Sequence, residues 1–292
     1  SLRQRHAGTA AAEPAAKAAP QGTPTATWKR RLAFVRVTDD DHFNLVCTYA
    51  TCMVVVAFFA EVYFPSGYGR YGANAFIKID NRLGWWLLEI PVTVSFIYFF
   101  FIKGGPQAGN LVPRIMAGIM CFHYAYRGWI FPSLMRPHPD SSFSLILALS
   151  SPLVTATHGY LSARWFAQHG KHLTRRWLRD PRFLLGLVMY FSGFSMIVWH
   201  DNILRNLRQP GGPRYVIPNE GLFQYVTCAQ YLVELWTFFG FFLLSWGPNG
   251  LFIFCISFAN LVPRASRATA WYVEKFGDEY PADRRHIFPF IY

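Results

Sequence analysis

Residues 43–64 read FNLVCTYATCMVVVAFFAEVYF, an apolar run in which Glu61 is the one charged side chain. An α-helix needs about 20 apolar residues to cross the hydrocarbon core of a bilayer. The centre of the run, from Cys52 to Ala60, is apolar on every side, whereas a membrane β-barrel strand alternates apolar and polar residues. Because backbone groups in lipid must be paired within the segment, we predict a transmembrane helix, with Glu61 near its interfacial end.

Six further apolar runs follow, separated by turn-forming Pro and Gly clusters such as Gly104-Gly105-Pro106. The chain is therefore predicted to be an all-α, polytopic membrane protein with about seven transmembrane helices in one domain over residues 41–292. Residues 1–40 are predicted to form a disordered or loosely ordered N-terminal tail. The predicted spans are residues 43–64, 83–102, 111–134, 143–166, 183–200 and 222–246, with a seventh that begins near Gly250 and continues past Pro263.

The charge pattern fits a membrane protein better than a nucleic-acid-binding one. Charged residues are 15% of the 292 residues, against about 25% in soluble domains. The net charge of +12 comes from basic residues that flank the apolar runs, which is usual at membrane surfaces. No nucleic-acid-binding signature accompanies them, so we expect no nucleic-acid partner. The five cysteines lack metal-ligand spacing, so no metal site is expected.

Ionisable side chains inside the spans are the candidates for function, because a charge in lipid is costly. Glu89 lies well inside the second span, and Pro91 frees a backbone carbonyl beside it. The alternative is that Glu89 serves helix packing alone. Tyr124 and Arg127 are three residues apart in the third span and share nearly one helix face. Tyr126 fits an interfacial aromatic belt without further function.

Polar residues also gather at the end of the fifth span and in the sixth. Asp201, Arg205 and Arg208 are spaced to share one helix face. The alternative is a solvated helix end, but the loop that follows leads to Tyr215, and arginines there would hold an anionic ligand. Glu234 is central in the sixth span and is a candidate ligand contact.

Residues 67–72 read GYGRYG and match the GxGxxG pattern of dinucleotide-binding loops. That mechanism requires a strand before the glycines and a helix N-terminus after them. A transmembrane helix precedes them here, so we reject the Rossmann interpretation.

Several motifs, in order along the chain, resemble the steroid 5α-reductase family. They are Ser66-Gly67-Tyr68-Gly69, Leu88-Glu89-Ile90-Pro91, His123-Tyr124 to Arg127, residues 200–208 (HDNILRNLR), residues 215–218 (YVIP), residues 221–226 (GLFQYV) and the ending from Glu279-Tyr280-Pro281 to residues 288–291 (FPFI). The match is weak between about residues 138 and 182 and absent from the tail.

The resemblance implies a seven-helix membrane fold, NADPH as hydride donor, and reduction of a carbon–carbon double bond conjugated to a ketone. By the same resemblance, Glu89 and Tyr124 would hydrogen-bond the substrate carbonyl. Cofactor contacts would come from Tyr68, Arg127, Asp201, Arg208, Tyr215, Gln230 and Tyr272, and substrate contacts from Trp85, Phe223 and Glu234.

The chain departs from the family pattern at several positions of the motifs. Leu88 stands where Gln is frequent, Ile197 and Gln230 stand where Asn is expected, and Ala268 stands where His is expected. These departures bear on cofactor binding and steroid selectivity, and they leave the Glu89 and Tyr124 pair intact.

The implied chemistry suits an acid pair inside a helix bundle. Hydride addition to the β-carbon of an enone places charge on the carbonyl oxygen, which needs preorganised donors. A Tyr hydroxyl is such a donor, and a carboxyl becomes one when burial in a low-dielectric bundle keeps it neutral. NADPH would supply the redox chemistry, while the donor of the proton to the α-carbon is not identified by the sequence.

Two other activities stay open. One is reduction of another lipid enone or enal, of the enoyl-CoA or polyprenal type, and the other is a membrane methyltransferase of the isoprenylcysteine type. No inverted repeat supports a transporter. The expected partners are membrane lipids and a lipophilic substrate that enters from the bilayer, and a monomer is one option for the oligomeric state.

The expected location is a bacterial inner membrane, or the endoplasmic reticulum for a eukaryotic chain. The resemblance places the cofactor loops and the C-terminus on the cytosolic side. Charge alone does not decide the orientation, because both predicted faces are rich in Arg and Lys.

Overall fold

In the part of the chain that the structure describes, the fold is a bundle of seven long helices with two very short strands. The computed structural model describes residues 29, 32–64, 76–139, 141–209, 212–213 and 215–292. The helices are α1 (Asp41–Tyr63), α2 (Asn81–Ile97), α3 (Leu111–Ala125), α4 (Leu145–Arg164), α5 (Pro181–Asn206), α6 (Ala229–Ser245) and α7 (Pro248–Phe276). Strands β1 (Lys78–Ile79) and β2 (Phe143–Ser144) pair antiparallel.

Three helices end in a π-helical turn, a wider turn that is frequent at functional sites. These turns are Tyr98–Ile102 after α2, Tyr126–Ile130 after α3 and Trp165–His169 after α4. The α3 turn runs on into a short α-helix, Phe131–Leu134. Single 3₁₀ turns lie at Trp177–Arg179, Gly221–Gln224 and Gly277–Glu279.

Each of the seven spans expected from the sequence coincides with one long helix, but two boundaries were wrong. Helix α5 continues to Asn206 rather than ending near residue 200, so Asp201 is helical. Helix α6 begins at Ala229 rather than near residue 222, because Gly221–Gln224 forms a 3₁₀ turn. Pro263 lies inside α7, as the sequence indicated.

Three of the described helices are long and apolar enough to cross a membrane: Asp41–Tyr63, Asn81–Ile102 and Pro181–Asn206. Ala229–Ser245 is a shorter apolar helix. The chain is therefore an all-α membrane protein.

Local sequence explains where the helices begin. The carboxylates of Asp40, Asp80 and Asp180 accept hydrogen bonds from amides in the first turns of α1, α2 and α5. Such N-caps satisfy amide groups that have no partner within the helix. Pro181 and Pro248 open α5 and α7, where a missing amide hydrogen costs nothing.

Contacts between loops sort the helix ends into two faces. On one face, β1 before α2 pairs with β2 before α4, and the segment before α6 pairs with the C-terminal segment through Val226 and Arg285. On the other face, Gln107 after α2 donates to the carbonyl oxygens of the turn after α4, and Trp165 donates to Ser245 at the end of α6. We call these the C-terminal face and the opposite face.

The segment before α1 belongs to the packed structure. The amide of Val35 donates to the Thr48 hydroxyl, and the amides of Val37 and Thr38 donate to the Asn44 side chain. Residues 1–28, which make up most of the expected tail, lie outside the described residues.

Glu61, expected near the interfacial end of the first span, is 4% exposed between α1 and α7. Its carboxylate lies 3.7 Å from Arg264 and is hydrogen-bonded by Arg267. Arg264 also donates to the Tyr231 hydroxyl at 3.0 Å. The sequence did not indicate this ion pairing, because the two arginines lie about two hundred residues away on α7.

Candidate active site

Four helices bring four charged side chains together inside the bundle. The guanidinium of Arg127 on the α3 turn lies 3.8 Å from the Glu89 carboxylate of α2, 3.8 Å from Asp201 of α5 and 3.6 Å from Glu234 of α6. At about 1.5 Å of rise per residue, all four lie about 8 to 12 Å inside the ends of their helices at the C-terminal face. We call them the Arg127 cluster.

Two aromatic rings flank the guanidinium. Arg127 lies 5.4 Å from the ring centre of Trp85 and 5.0 Å from that of Phe131, distances typical of cation–π contacts. The two rings meet edge to face at 5.6 Å. With its faces covered by rings, Arg127 directs its donors toward the three carboxyls, and only 12% of its side chain is exposed.

The π-helical turn at Tyr126–Ile130 explains how α3 presents Arg127. A Cβ added at Gly128 would lie 3.7 Å from the Glu89 Cβ, so this turn packs directly on α2 beside the carboxyl. Tyr126, expected in an interfacial belt, is instead 9% exposed, and its hydroxyl donates to Asp201 at 3.5 Å. Sequence reasoning missed Tyr126 and Phe131 because a π turn has no reliable sequence signal.

Tyr124 lies about one turn deeper than Arg127 and is 6% exposed. Counting along the helices from the C-terminal face, Tyr124 lies about 15 Å deep and Glu89 about 12 Å deep. Its ring contacts His123 and His158, with centre-to-centre distances of 5.0 and 5.9 Å. His123 is held by a hydrogen bond of 3.1 Å between its Nδ1 and the Tyr190 hydroxyl.

The spacing that puts Asp201 on one helix face with Arg205 and Arg208 does not indicate its contacts with Arg127 and Tyr126. Asp201 faces Arg127 and Tyr126, while Arg205 hydrogen-bonds Asn202. Arg208 lies beyond the C-terminal end of α5, where it is exposed and donates to the Arg136 carbonyl at 3.4 Å. The expected shared face of Asp201 and Arg208 is interrupted because the helix ends at Asn206.

The remaining cofactor candidates lie on α6, on α7 and in the segment after α5, toward the C-terminal face. Gln230 lies one turn before Glu234 on α6, and its buried Oε1 has no hydrogen-bond partner among the described residues. The ring of Tyr215 meets Trp271 at 4.7 Å, and Lys275 lies over both. Tyr272 stacks on Phe276 and Tyr280 beside them.

Phe223 lies in the 3₁₀ turn Gly221–Gln224, before α6. Phe223 is fully buried against His200, with ring centres 5.5 Å apart, in a core that includes Ile203 and Val226. Its described neighbours are therefore core residues rather than members of the Arg127 cluster. Tyr68 and the rest of residues 65–75 lie outside the described residues, as does Arg214.

This arrangement can place acidic donors beside a buried ligand. One guanidinium balances about one of three carboxyls, and several like charges at this spacing in a low-dielectric interior disfavour one another. We therefore expect at least one carboxyl to be neutral and able to donate a hydrogen bond. Among the described residues, no group of His, Cys, Asp and Glu side chains could hold a metal ion.

Comparison with known proteins gives this site a family. The family model for 3-oxo-5-alpha-steroid 4-dehydrogenase matches residues 141–292. The chain is 34% identical to 3-oxo-5-alpha-steroid 4-dehydrogenase 1 of Homo sapiens over 250 aligned residues. The alignment covers 84% of this chain and 93% of the human protein. This chain belongs to the 3-oxo-5-alpha-steroid 4-dehydrogenase family.

Other members of the 3-oxo-5-alpha-steroid 4-dehydrogenase family extend the match over the candidate site. The Mus musculus 3-oxo-5-alpha-steroid 4-dehydrogenase 1 is 34% identical over 82% of this chain and 92% of its own length. A steroid 5-alpha-reductase of Solanum lycopersicum is 31% identical over 87% of this chain and 99% of its own length. Matches of this length extend well before residue 141, into the helices that carry Glu89 and Arg127.

Membership in this family fixes the general chemistry. The chain is an oxidoreductase that acts on CH–CH groups, in a family that uses a nicotinamide cofactor. Its apolar helices and its relatives agree on a membrane protein. The resemblance drawn from the sequence motifs is confirmed.

Proposed function

We propose that this protein reduces the Δ4 double bond of 3-oxo-Δ4 steroids to 5α-3-oxosteroids, with NADPH as the hydride donor. One observation carries the proposal: the buried Glu89 carboxyl lies against Arg127, and Tyr124 lies one turn deeper on the same helix as Arg127. The names of the relatives, 3-oxo-5-alpha-steroid 4-dehydrogenase and steroid 5-alpha-reductase, support a steroid substrate.

Glu89 and Tyr124 are proposed to bind the 3-keto oxygen of the substrate. As the β-carbon gains a hydride, negative charge develops on this oxygen, and donors that are already oriented stabilise it most. The Tyr124 hydroxyl donates directly, and Glu89 donates in its neutral form. Arg127 holds Glu89 in place. Because three carboxyls surround this one guanidinium, they favour a state in which one of the carboxyls keeps its proton.

The residues near the C-terminal face fit a nicotinamide dinucleotide. The unpaired Oε1 of Gln230 offers an acceptor for an amide group, and Asp201 offers a second acceptor about one helical turn from the end of α5. Arg208 and Lys275 provide positive charge for phosphate groups, and Tyr215 and Trp271 provide stacking surfaces. NADPH supplies the hydride, and arginine side chains favour its 2′-phosphate over the bare hydroxyl of NADH.

The site opens toward both water and lipid in this proposal. All seven long helices cross the membrane, so the loops after α1, α3 and α5 share the C-terminal face, which we place in the cytosol where NADPH is available. The lipophilic substrate enters from the bilayer. Cysteine-accessibility labelling that placed Arg208 and Tyr292 on opposite sides would refute the seven crossings.

The deciding experiment is single-turnover hydride transfer from bound NADPH to testosterone in liposomes. We expect Tyr124→Phe and Glu89→Ala each to slow this step by about 10² to 10³, the usual effect of removing one such donor. Glu89→Gln should be milder, because Gln retains a donor. The affinity for NADPH should change little in all three.

Matched controls separate chemistry from packing. Tyr160→Phe alters a half-buried tyrosine that lies against Phe43 and Phe99, far from the Arg127 cluster. Glu274→Gln alters an exposed carboxyl on α7. Both should react at the wild-type rate. Should the protein ignore testosterone and progesterone but reduce an enoyl-CoA or a polyprenal, the steroid assignment fails and the lipid enone activity replaces it.

A further inference from the structure

A column of buried polar side chains continues from Tyr124 toward the opposite face, beyond the residues that the proposed function uses. His158 and Ser162 lie on α4, one turn apart on one helix face. Asn249 is the second residue of α7, which begins at the opposite face. Their exposed fractions are 1%, 0% and 0%, so all three are inside the bundle.

Contacts are present at both ends of this column, and between them His158 and Ser162 are one turn apart on α4. The His158 ring lies 5.9 Å from the Tyr124 ring and 5.9 Å from that of Phe241. Farther along, the Asn249 side chain donates to the Ser162 hydroxyl at 3.4 Å. Counting along the helices from the C-terminal face, Tyr124 lies about 15 Å deep and His158 about 20 Å deep.

Two atoms of the column, and one beside it, have no hydrogen-bond partner among the described residues. They are His158 Nδ1, Asn249 Oδ1 and Thr93 Oγ1. Thr93 lies one turn after Glu89 on α2, at about the depth of His158. Buried polar groups are nearly always paired, by protein or by an ordered water, so each exception calls for an explanation.

His123, the other histidine beside Tyr124, does not raise the same question. Its Nδ1 already bonds the Tyr190 hydroxyl, which also donates to the Ile119 carbonyl. Nδ1 of His123 is thus occupied by a hydrogen bond, whereas Nδ1 of His158 has no hydrogen-bond partner among the described residues and could exchange a proton with water.

The proposed reaction requires a proton as well as a hydride. The hydride forms a C–H bond at the β-carbon. The π pair of the C=C bond then forms a double bond between the α-carbon and the carbonyl carbon, and the π pair of the carbonyl moves to its oxygen to give an enolate. When the enolate collapses, the C=O bond re-forms and the α-carbon takes a proton. A donor that gives this proton must be recharged before the next turnover.

We propose that His158 recharges Tyr124 with protons that arrive from the opposite face by way of Asn249 and Ser162. This inference rests on the proposed function. The Tyr124 O–H bond breaks as the C–H bond at the α-carbon forms, which leaves a phenolate. The N–H of His158 then returns a proton to the Tyr124 oxygen, and the other ring nitrogen takes one from water in the column. One proton from bulk water is consumed in each turnover.

The test compares the first turnover with steady-state turnover in His158→Gln. The first turnover uses the proton that Tyr124 already carries, so its hydride-transfer rate with testosterone and bound NADPH should stay within about threefold of wild type. Steady-state kcat should fall by about 10²-fold, the lower end of the usual effect of a proton-transfer group. KM for testosterone should be unchanged, and the solvent deuterium isotope effect on kcat should increase.

His169→Gln is the matched control, because His169 is also largely buried and its Nε2 has no hydrogen-bond partner among the described residues. It lies against Phe43 near Asp40, away from Tyr124, and should leave both rates unchanged. Ser162→Ala interrupts the same column with a smaller change of shape, so it provides the test if His158→Gln does not fold. It should also lower kcat more than the first turnover.

The outcomes separate the relay from the reaction itself. An equal loss in the first-turnover rate and in kcat of His158→Gln would mean that His158 only packs against Tyr124. No loss in either rate would refute the relay. Both results leave the steroid reductase activity of the wild type intact. A wild type that transfers no hydride to testosterone refutes the proposed function and the relay together.

Discussion

Gly159 is the point at which a single methyl group should disturb the candidate site. A Cβ at this position would lie 2.4 Å from the Val92 carbonyl oxygen and 3.0 Å from the Phe96 amide nitrogen of α2. An ordinary contact begins near 3.4 Å, so in Gly159→Ala helix α4 must move away from α2 by up to about 1 Å at this point. The obstacle is backbone, which cannot rotate aside.

The expected cost follows from these distances. Overpacking of a well-packed core typically costs about 1 to 3 kcal/mol, partly offset by the better helix propensity of Ala, about 1 kcal/mol. Because Glu89 and Thr93 of α2 and His158 of α4 flank the contact, the same shift should misalign the site. A displacement of about 1 Å can lower a rate by about 10², and we expect a loss of about 10- to 100-fold in hydride transfer.

The assay pairs Gly159→Ala with Gly118→Ala. Gly118 is an exposed position on α3 where an added Cβ meets nothing within 4 Å. Thermal unfolding in detergent and single-turnover hydride transfer are measured for both. Gly118→Ala should be as stable as wild type or slightly more stable, and fully active. If Gly159→Ala matches it in both measurements, α2 and α4 do not pack as described.

Three further changes test other parts of the structure. Asp201→Ala should weaken NADPH binding about tenfold or more in calorimetry, the scale of a hydrogen bond to a charged group, with a smaller effect on thermal stability. Glu61→Ala should lower the free energy of unfolding by about 3 to 5 kcal/mol, because it leaves two arginines of α7 without their buried carboxylate. The control Glu274→Ala, at the exposed surface, should change the free energy of unfolding by less than about 0.5 kcal/mol. Burial lowers the pKa of His172, which lies 3.1 Å from the Ser245 carbonyl. Below about pH 6.5 the His172 imidazole becomes protonated in the unfolded chain but less so in the folded chain. The free energy of unfolding should therefore fall as the pH drops below about 6.5, and it should fall less in His172→Gln.

The sequence predicted the helices well because lipid imposes a simple rule. A run that is apolar on all sides has no other way to pair its backbone, so the seven long helices and the passage of α7 through Pro263 could be read directly. The two wrong boundaries lie where that rule stops applying. Residues 201–206 (DNILRN) are largely polar yet helical, because the Asp201 carboxylate forms an ion pair with Arg127 inside the bundle. Residues 221–228 are largely apolar yet not α-helical, and the C-terminal segment pairs with them through Val226 and Arg285.

The candidate site was predictable in its members but not in its pairings. Glu89, Arg127, Asp201 and Glu234 stood out singly because each is ionisable inside an apolar run. Which of them meet depends on how helices far apart in sequence pack, and no spacing rule contains that information. Helix periodicity grouped Asp201 with Arg205 and Arg208 on one face of α5. In the structure α5 packs against the α3 turn, so Asp201 pairs with Arg127 instead. The burial of Glu61 by α7 was missed for the same reason.

The charge balance of the two buried clusters separates a structural ion pair from a working site. Around Glu61, two arginines surround one carboxylate, and the Tyr231 hydroxyl accepts from one of them. Around Arg127, three carboxyls face one guanidinium at 3.6 to 3.8 Å, beyond ordinary hydrogen-bond length. A site selected for stability alone would shorten these contacts or replace the surplus acids with apolar residues, because buried charge is costly. A surplus of acid is useful where a carboxyl must stay protonated to donate to an oxygen, and where positive charge develops nearby as a hydride departs. Under the proposed function this surplus of acid serves the reaction, so replacing Glu234 with Gln should slow hydride transfer while leaving the bundle at least as stable.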